Sequence, residues 1–257
     1  LKATFDIEFV IDKDLQGVSN MPILKEEIRE DGKKLVRFER TPKMSTYLLF
    51  FGIGEFEFLI DENKTPVIRI VTAPGKVQYG KFALDVARKI IDWGEKFTGV
   101  KYPLPKLDHI AVTDFAFGAM ENFGAILYRE NLLLVYPGIT SKAGKERIAT
   151  IVAHESAHMW FGDLVSPKDW KYIWLNESFA SYFTYAMTAD LFPEWELWNT
   201  FIAYIHGGIE RDSLRNTIPI ELPGEDAQVN IDTSTAPIIY NKGAAIISVL
   251  ADVLGTE

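Results

Sequence analysis

The sequence predicts an α+β fold, with a β-rich first part and a helical second part. In residues 5–11, apolar and polar side chains alternate, which is typical of a half-buried strand. Residues 73–75 (Ala-Pro-Gly) then form a cluster of structure-breaking residues. Beyond them, apolar residues recur every three or four positions, which is the period of an amphipathic helix. We therefore expect two domains, residues 1–72 and residues 73–257.

The first domain is expected to be built from antiparallel strands. Residues 25–40 are rich in charge around Asp31-Gly32, which is a hairpin turn signal. Further strands are predicted at residues 47–53, 55–60 and 67–72. Because the sequence opens almost directly inside a strand, residues 1–72 are expected to be the C-terminal part of a larger N-terminal β-sheet domain.

The second domain is expected to combine helices with a few short strands. Apolar side chains form a stripe along a helix at residues 82–97. The other elements follow from the same periodicities. Strands are predicted at 107–113, 125–128 and 132–136, and helices at 145–161, 175–191, 195–213 and 242–254.

Composition narrows the possible functions. Hydrophobic residues make up 47 % and charged residues 25 % of the 257 residues, as in a globular protein. The net charge of −9 disfavours nucleic acid or an anionic membrane as a partner. The absence of cysteine excludes a thiol nucleophile and a Cys-ligated metal, and fits a cytoplasmic location. We see no signal peptide at the start, and no apolar run that approaches the about 18 residues that a membrane helix needs.

The most informative motif is His-Glu-Ser-Ala-His at residues 154–158. Four residues of a helix rotate by about 400°, so His154 and His158 share one face, as two ligands of a tetrahedral ion do. Glu155 is offset from that face and can act as a general base on a metal-bound water. The apolar residues 148–153 predict a buried helix, where unpaired histidines are costly.

A third ligand is predicted at Glu177, which eighteen residues separate from His158. A helix, a loop and an antiparallel return of that length can bring the carboxylate back to the same ion. Taken alone, the histidine motif also occurs by chance on solvated helices, and the helix dipole explains a glutamate at a helix start. The joint occurrence favours one zinc ion per chain, held by His154, His158 and Glu177.

Several further motifs resemble the zinc aminopeptidases that include aminopeptidase N and puromycin-sensitive aminopeptidase, with the leukotriene hydrolase as a bifunctional relative. Residues 118–124 stand where the family has its Gly-Ala-Met-Glu-Asn motif. Residues 102–108 resemble the segment that precedes this motif in the family. The resemblance covers about residues 65–250. It includes 160–165 and 174–177, which flank the zinc motif, and the catalytic-tyrosine segment 240–244. Two residues depart from the family pattern: Ser178 replaces the usual Gly, and Asp163 replaces the usual Asn.

The resemblance implies a thermolysin-like catalytic domain that removes N-terminal residues from peptides with a free N-terminus. It assigns Glu155 as the general base for a metal-activated water and Tyr240 as a stabiliser of the oxyanion. It also assigns Glu121 as the partner of the substrate's α-amine. The neighbouring residues of the motif would contact the substrate, namely Gly118, Ala119, Met120 and Asn122. Finally, it implies that the chain packs on a β domain upstream and a helical domain downstream.

Three other functions remain open. A thermolysin-type endopeptidase would share the zinc ligands but lack an amine anchor. Epoxide hydrolysis, as in the leukotriene hydrolase, is a conceivable side activity. A non-catalytic peptide-binding module is disfavoured, because a binding protein has no need of Glu155. Taken singly, Tyr240 also fits an aromatic residue packed at a helix start, and Glu121 fits a turn residue that faces solvent.

Overall fold

A computed structural model of the chain describes residues 1–222 and 231–255. The chain divides into two compact units, Leu1–Met159 and Trp160–Glu257. All twelve described strands lie in the first unit, and three of the five described α-helices lie in the second. The predicted α+β class, β-rich at the start and helical towards the end, is confirmed.

Most strands of the first unit are short. In chain order they are β1 (Lys2–Ala3), β2 (Glu8–Asp12), β3 (Gln16–Ser19), β4 (Ile23–Ile28), β5 (Lys33–Phe38), β6 (Met44–Ser45), β7 (Phe51–Gly54), β8 (Glu57–Asp61), β9 (Val67–Thr72), β10 (Lys106–Val112), β11 (Ala119–Met120) and β12 (Ala125–Arg129). The predicted hairpin is confirmed as β4 and β5, and Gly32 takes the left-handed φ of 79° that its turn requires.

The largest sheet of the first unit has five strands in the order β11-β12-β10-β9-β8. Strand β10 runs parallel to β9 and β12, while β8 and β11 are antiparallel to their neighbours. Parallel strands are usually buried on both faces, and six of the seven residues of β10 are buried. The order places β11, which contains Ala119 and Met120, at an edge of this sheet among the described strands.

Two helices complete the first unit. Helix α1 (Lys81–Thr98) buries one stripe of apolar residues and ends at Gly99, whose φ of 67° is the left-handed value typical of a helix end. Helix α2 (Lys142–His158) begins at Ser141, whose hydroxyl accepts a hydrogen bond of 3.1 Å from the Gly144 amide. These two helices pack against each other.

The second unit is helical in its described part. It contains α3 (Trp174–Leu191), α4 (Leu197–Asp212) and α5 (Gly243–Leu254). A π-helical turn, Pro237–Lys242, leads directly into α5. The helices predicted at 175–191, 195–213 and 242–254 are therefore confirmed, with boundaries that differ by at most two residues.

Two strand predictions are wrong in whole or in part. Residues 132–136 form no strand, because the segment follows a 3₁₀ turn (Glu130–Leu132) and its amides do not pair with a strand. The amides of Leu133 and Leu134 donate to the Glu130 carbonyl, and the amide of Val135 donates to the Tyr79 carbonyl. Their apolar character reflects burial, since Leu132, Leu133 and Leu134 are at most 5 % exposed. Residues 47–53 likewise begin with a 3₁₀ turn (Thr46–Leu48) before β7.

The boundary between residues 72 and 73 stays a prediction. Strand β9 ends at Thr72, and it pairs with β10 from the other side of that boundary. One sheet is thus shared by residues that the sequence assigned to two different domains.

One helical stretch, Pro237–Leu254, is long and apolar enough to cross a membrane by length and composition. No stretch of this kind is expected from the sequence, because Asn241 and Lys242 interrupt the apolar residues. The Lys242 ammonium lies 2.8 Å from the Asp212 carboxylate of α4. A core helix of a soluble protein can pass the same test, so this stretch is weak support for a membrane span.

Candidate active site

The last turns of α2 bring the two predicted histidine ligands together. His154 Nε2 and His158 Nε2 lie 3.3 Å apart on one face of the helix. His158 is 1 % exposed, and Glu155 between them is 7 % exposed. The apolar residues one and two turns earlier, Ile148 and Val152, are buried as well. The expected buried helix is therefore observed.

This geometry fits a tetrahedral zinc ion. Two zinc–nitrogen bonds of about 2.0–2.1 Å at a tetrahedral angle hold their nitrogens about 3.3 Å apart. The separation of the two imidazole nitrogens has the same value. The spacing of His154 and His158 is therefore compatible with two adjacent ligands of one ion.

The carboxylates of Glu121 and Glu155 lie close to His158 within the first unit. The ligand atoms of Glu121, Glu155 and His158 all lie within 4.8 Å of one another. Glu121 is 8 % exposed, so both carboxylates are withdrawn from water. Two buried carboxylates at this distance repel each other unless a positive charge lies nearby. The cluster is therefore suited to a cationic ligand, whether a metal ion or an ammonium group.

Glu121 is held in place by a residue far away in the sequence. It follows the edge strand β11, and the Tyr47 hydroxyl donates a hydrogen bond of 3.2 Å to its Oε1. Tyr47 lies in the 3₁₀ turn Thr46–Leu48, 74 residues earlier in the chain. A phenol that donates to one carboxylate oxygen fixes the rotamer and leaves the second oxygen for a ligand.

The backbone around Glu121 is fixed by Asn20. Its side-chain amide donates to the carbonyls of Leu48 and Phe123 at 2.8 and 2.9 Å. Gly124 has a left-handed φ of 78°, and a Cβ there would lie 2.5 Å from the Asn20 carbonyl oxygen. This position of the motif therefore requires glycine, both for its backbone angle and for the close approach of Asn20.

A buried ion network lies beside the same loop. The Lys106 ammonium donates to the carbonyls of Ser19 and Gly124 and to the Asp108 carboxylate, at 2.6–2.8 Å. Burial lowers the pKa of Lys106 to about 8, against the opposing effect of Asp108. Burial alone would raise the pKa of Asp108, but Lys106 and Arg69 outweigh it and hold this pKa below its ordinary value. The network joins β3 to the loop that follows Glu121.

The negative charge of Glu155 affects the pKa of Tyr128 in β12. Burial, and to a smaller extent the negative charge of Glu155, raise the pKa of Tyr128 well above its ordinary value. The Tyr128 hydroxyl lies 2.9 Å from His109 Nδ1 on the neighbouring strand β10. Burial lowers the pKa of His109 to about 4, so this histidine is neutral near pH 7 and structural.

The remaining predicted site residues lie in the second unit. Glu177 is in the first turn of α3, where the helix dipole favours a carboxylate, and is 7 % exposed. Burial raises the pKa of Tyr204, and the charge of Glu177 adds to this shift. Tyr240 is half-buried in the π-helical turn and packs against a small apolar cluster that includes Ile173 and Ile239.

Comparison with known families identifies the chain. The model of the peptidase family M1 domain matches residues 82–257, which is more than half of the chain. The chain belongs to peptidase family M1. The model of the peptidase M1 N-terminal domain matches residues 1–48.

Family M1 relatives match the chain along its length. A protein named "probable aminopeptidase 2" from Sulfurisphaera tokodaii is 48 % identical over all of the chain, which spans 32 % of that relative. The leucyl aminopeptidase of Saccharolobus solfataricus is 43 % identical, with the same shares covered. The puromycin-sensitive aminopeptidase of Caenorhabditis elegans is 43 % identical over 95 % of the chain and 26 % of its own length. The chain thus spans about a third of the length of these relatives or less.

Sequence reasoning missed Tyr47 and Asn20 as part of the site. Both lie in the β-rich part of the chain, far from the motifs at 118–124 and 154–158. Asn20 stands beside Met21 and Pro22 in a segment with no strong periodicity, and Tyr47 stands within an apolar run that resembles a strand. No sequence signal marks Asn20 as buried, because an asparagine between two predicted strands is typical of a turn.

Proposed function

We propose that the chain carries the active site of a zinc aminopeptidase. The observation that carries this proposal is the cluster of Glu121 and Glu155 around His158 beside a histidine pair with zinc-like spacing. An aminopeptidase must bind two cations side by side, namely its metal ion and the α-ammonium of its substrate. The family M1 membership and the relatives named aminopeptidases support the same conclusion.

The ligands of the zinc ion in this proposal are His154, His158 and Glu177. When bound, the ion would polarise a water molecule and the scissile carbonyl. Glu155 takes the proton of the attacking water and delivers it to the leaving amine. The Tyr240 phenol donates a hydrogen bond to the substrate carbonyl oxygen as negative charge develops there.

Glu121 and the edge strand β11 determine which peptide bond of the substrate is placed at the catalytic residues. Glu121 binds the α-ammonium, so that only the first peptide bond reaches Glu155. Strand β11 offers backbone groups at the edge of its sheet, where an extended peptide can pair with Ala119 and Met120. Gly118 and Asn122 flank this strand and complete the substrate contacts. The proposed substrates are therefore peptides with a free N-terminus, and cytoplasmic location stays a prediction.

Replacing Glu121 with alanine tests the amine anchor. An ammonium–carboxylate pair at about 4 Å contributes about 1 kcal/mol in water and about 4 kcal/mol at an effective dielectric constant of 20. The variant should therefore lose about 5- to 1,000-fold in kcat/KM for free-amine substrates, while N-acetylated peptides are unaffected. The ratio of the two kcat/KM values is measured, with Glu62→Ala, an exposed carboxylate, as the matched control. An unchanged ratio would favour the thermolysin-type endopeptidase.

Replacing Tyr240 with phenylalanine tests the oxyanion partner. Removing one preorganised donor usually costs about 10²- to 10³-fold in kcat. We expect a loss in that range with zinc content and KM little changed, because the ring and its packing against Ile173 and Ile239 are retained. Steady-state kinetics at equal zinc occupancy give the result. A kcat equal to that of the parent chain would reduce Tyr240 to a packing residue.

A further inference from the structure

Ser178 is a buried polar side chain that the proposed mechanism does not use. It follows the proposed ligand Glu177 in α3. Its side chain is fully buried, at 0 % exposure. The hydroxyl donates a hydrogen bond of 2.6 Å to the carbonyl of Ile239, which is 61 residues away in the chain. Ile239 immediately precedes Tyr240.

The acceptor of this bond lies in an unusual stretch of backbone. Ile239 and Tyr240 both belong to the π-helical turn Pro237–Lys242. A π-helical turn is wider than an α-helical turn and needs support from its surroundings, and such turns are frequent at functional sites. The side chain of Ile239 is packed in an apolar cluster with Ile173 and Leu222. The Ser178 bond fixes the same residue through its backbone.

Two further contacts hold the residues after Tyr240. The Asn241 side-chain amide donates to the Tyr204 carbonyl at 2.6 Å. The Lys242 ammonium donates to Asp212 at 2.8 Å. Both partners belong to α4, whereas Ser178 belongs to α3. The turn is therefore bound to two helices, and Ser178 supplies a hydrogen bond to α3.

The fit between Ser178 and α5 is tight. A Cβ at Gly243 would lie 1.8 Å from Ser178 Oγ and 2.7 Å from Ser178 Cβ. The next nearest atom, Ile220 Cδ1, would be 3.2 Å away. The start of α5 can therefore approach α3 this closely only with glycine at position 243, as long as serine stands at 178.

We propose that Ser178 is a positioning residue for Tyr240: its hydrogen bond to Ile239 and its close fit against Gly243 fix the π-helical turn that aims the phenol at the substrate. This inference rests on the role of Tyr240 proposed above. It also gives a physical account of serine at position 178, because a glycine there has no hydroxyl with which to bind the Ile239 carbonyl.

The first test compares Ser178→Ala with Tyr240→Phe in a double-mutant cycle. A misplacement of about 1 Å can cost up to 10²-fold in rate, so Ser178→Ala should lower kcat about 5- to 50-fold with KM within about twofold of the parent value. In the Tyr240→Phe background, Ser178→Ala should change kcat less than about twofold, because the misplaced group is already absent. Thr188→Val is the matched control, since it removes a buried hydroxyl bond of 2.6 Å that stays inside α3.

The second test does not depend on turnover. In the metal-free chain, Ser178→Ala should speed hydrogen–deuterium exchange of the amides in residues 239–244 relative to Thr188→Val. Gly243→Ala should lower the thermal unfolding midpoint, and adding Ser178→Gly should recover most of that loss, because both of the short contacts are with the Ser178 side chain. The double variant should keep the lowered kcat of Ser178→Ala.

The outcomes separate this inference from the function on which it rests. If Tyr240→Phe lowers kcat but Ser178→Ala equals Thr188→Val in kcat and in exchange, Ser178 is not a positioning residue and the function stands. Additive losses in the cycle also overturn the inference, since they mean that Ser178 acts on something other than Tyr240. If Tyr240→Phe leaves kcat unchanged, the proposed role of Tyr240 fails and the inference fails with it.

Discussion

Replacing His154 with alanine is expected to abolish both zinc binding and peptide hydrolysis. His154 and His158 present nitrogens 3.3 Å apart, as two ligands of one tetrahedral ion do. Removing one of them leaves two proposed protein ligands, His158 and Glu177, where a catalytic zinc site needs three. Loss of a group that only orients a ligand typically costs 10- to 100-fold in metal affinity, so loss of a ligand should cost more than about 100-fold.

The measurement is zinc per chain by elemental analysis after dialysis, together with turnover of an aminoacyl amide. His206→Ala is the matched control, because His206 is an exposed histidine on α4. The control should keep one zinc ion per chain and full turnover. Full zinc occupancy in the His154→Ala variant would show that the metal is bound elsewhere. That result would refute the proposed zinc site.

Much of the fold was predictable because local periodicity and burial agree over long segments. In β2 the exposed and buried residues alternate along the strand, with Phe9 and Ile11 inside, as the sequence indicated. In α1 one apolar stripe is buried, so the period of 3.6 identified the helix. Residues 132–136 show where this reasoning stops. They are apolar because they are buried, but their backbone hydrogen bonds go to a turn and to Tyr79.

The site was predictable to the extent that its residues lie close together in the sequence. The spacing of four between His154 and His158 is fixed by the helix itself, so the pattern implies the geometry. The contacts of Tyr47 and Asn20 with the loop after β11 depend on how distant strands pack. The bond from Ser178 to Ile239 likewise joins residues 61 positions apart. The sequence showed Ser178 as a departure from the family pattern but not what its hydroxyl does.

Replacing Glu155 with glutamine should separate metal binding from chemistry. The amide has nearly the shape of the carboxylate, so the buried position on α2 is preserved. Because a neutral amide cannot take the proton of the attacking water, kcat should fall about 10²- to 10⁴-fold, the range usual for a positioned general base. Zinc content and KM should be little changed, since Glu155 is not one of the proposed ligands.

The control for Glu155→Gln is Glu146→Gln, which makes the same change nine residues earlier on α2. Glu146 pairs with Lys142 at 3.6 Å, so its loss should affect neither kcat nor zinc content. A fall in kcat with zinc retained would assign proton transfer to Glu155. Loss of zinc in Glu155→Gln would instead place this carboxylate among the ligands. A parent-like kcat would leave Glu121, the other buried carboxylate beside His158, as the candidate base. In that case Glu121→Ala should abolish turnover of every substrate, rather than shift only the preference for a free amine.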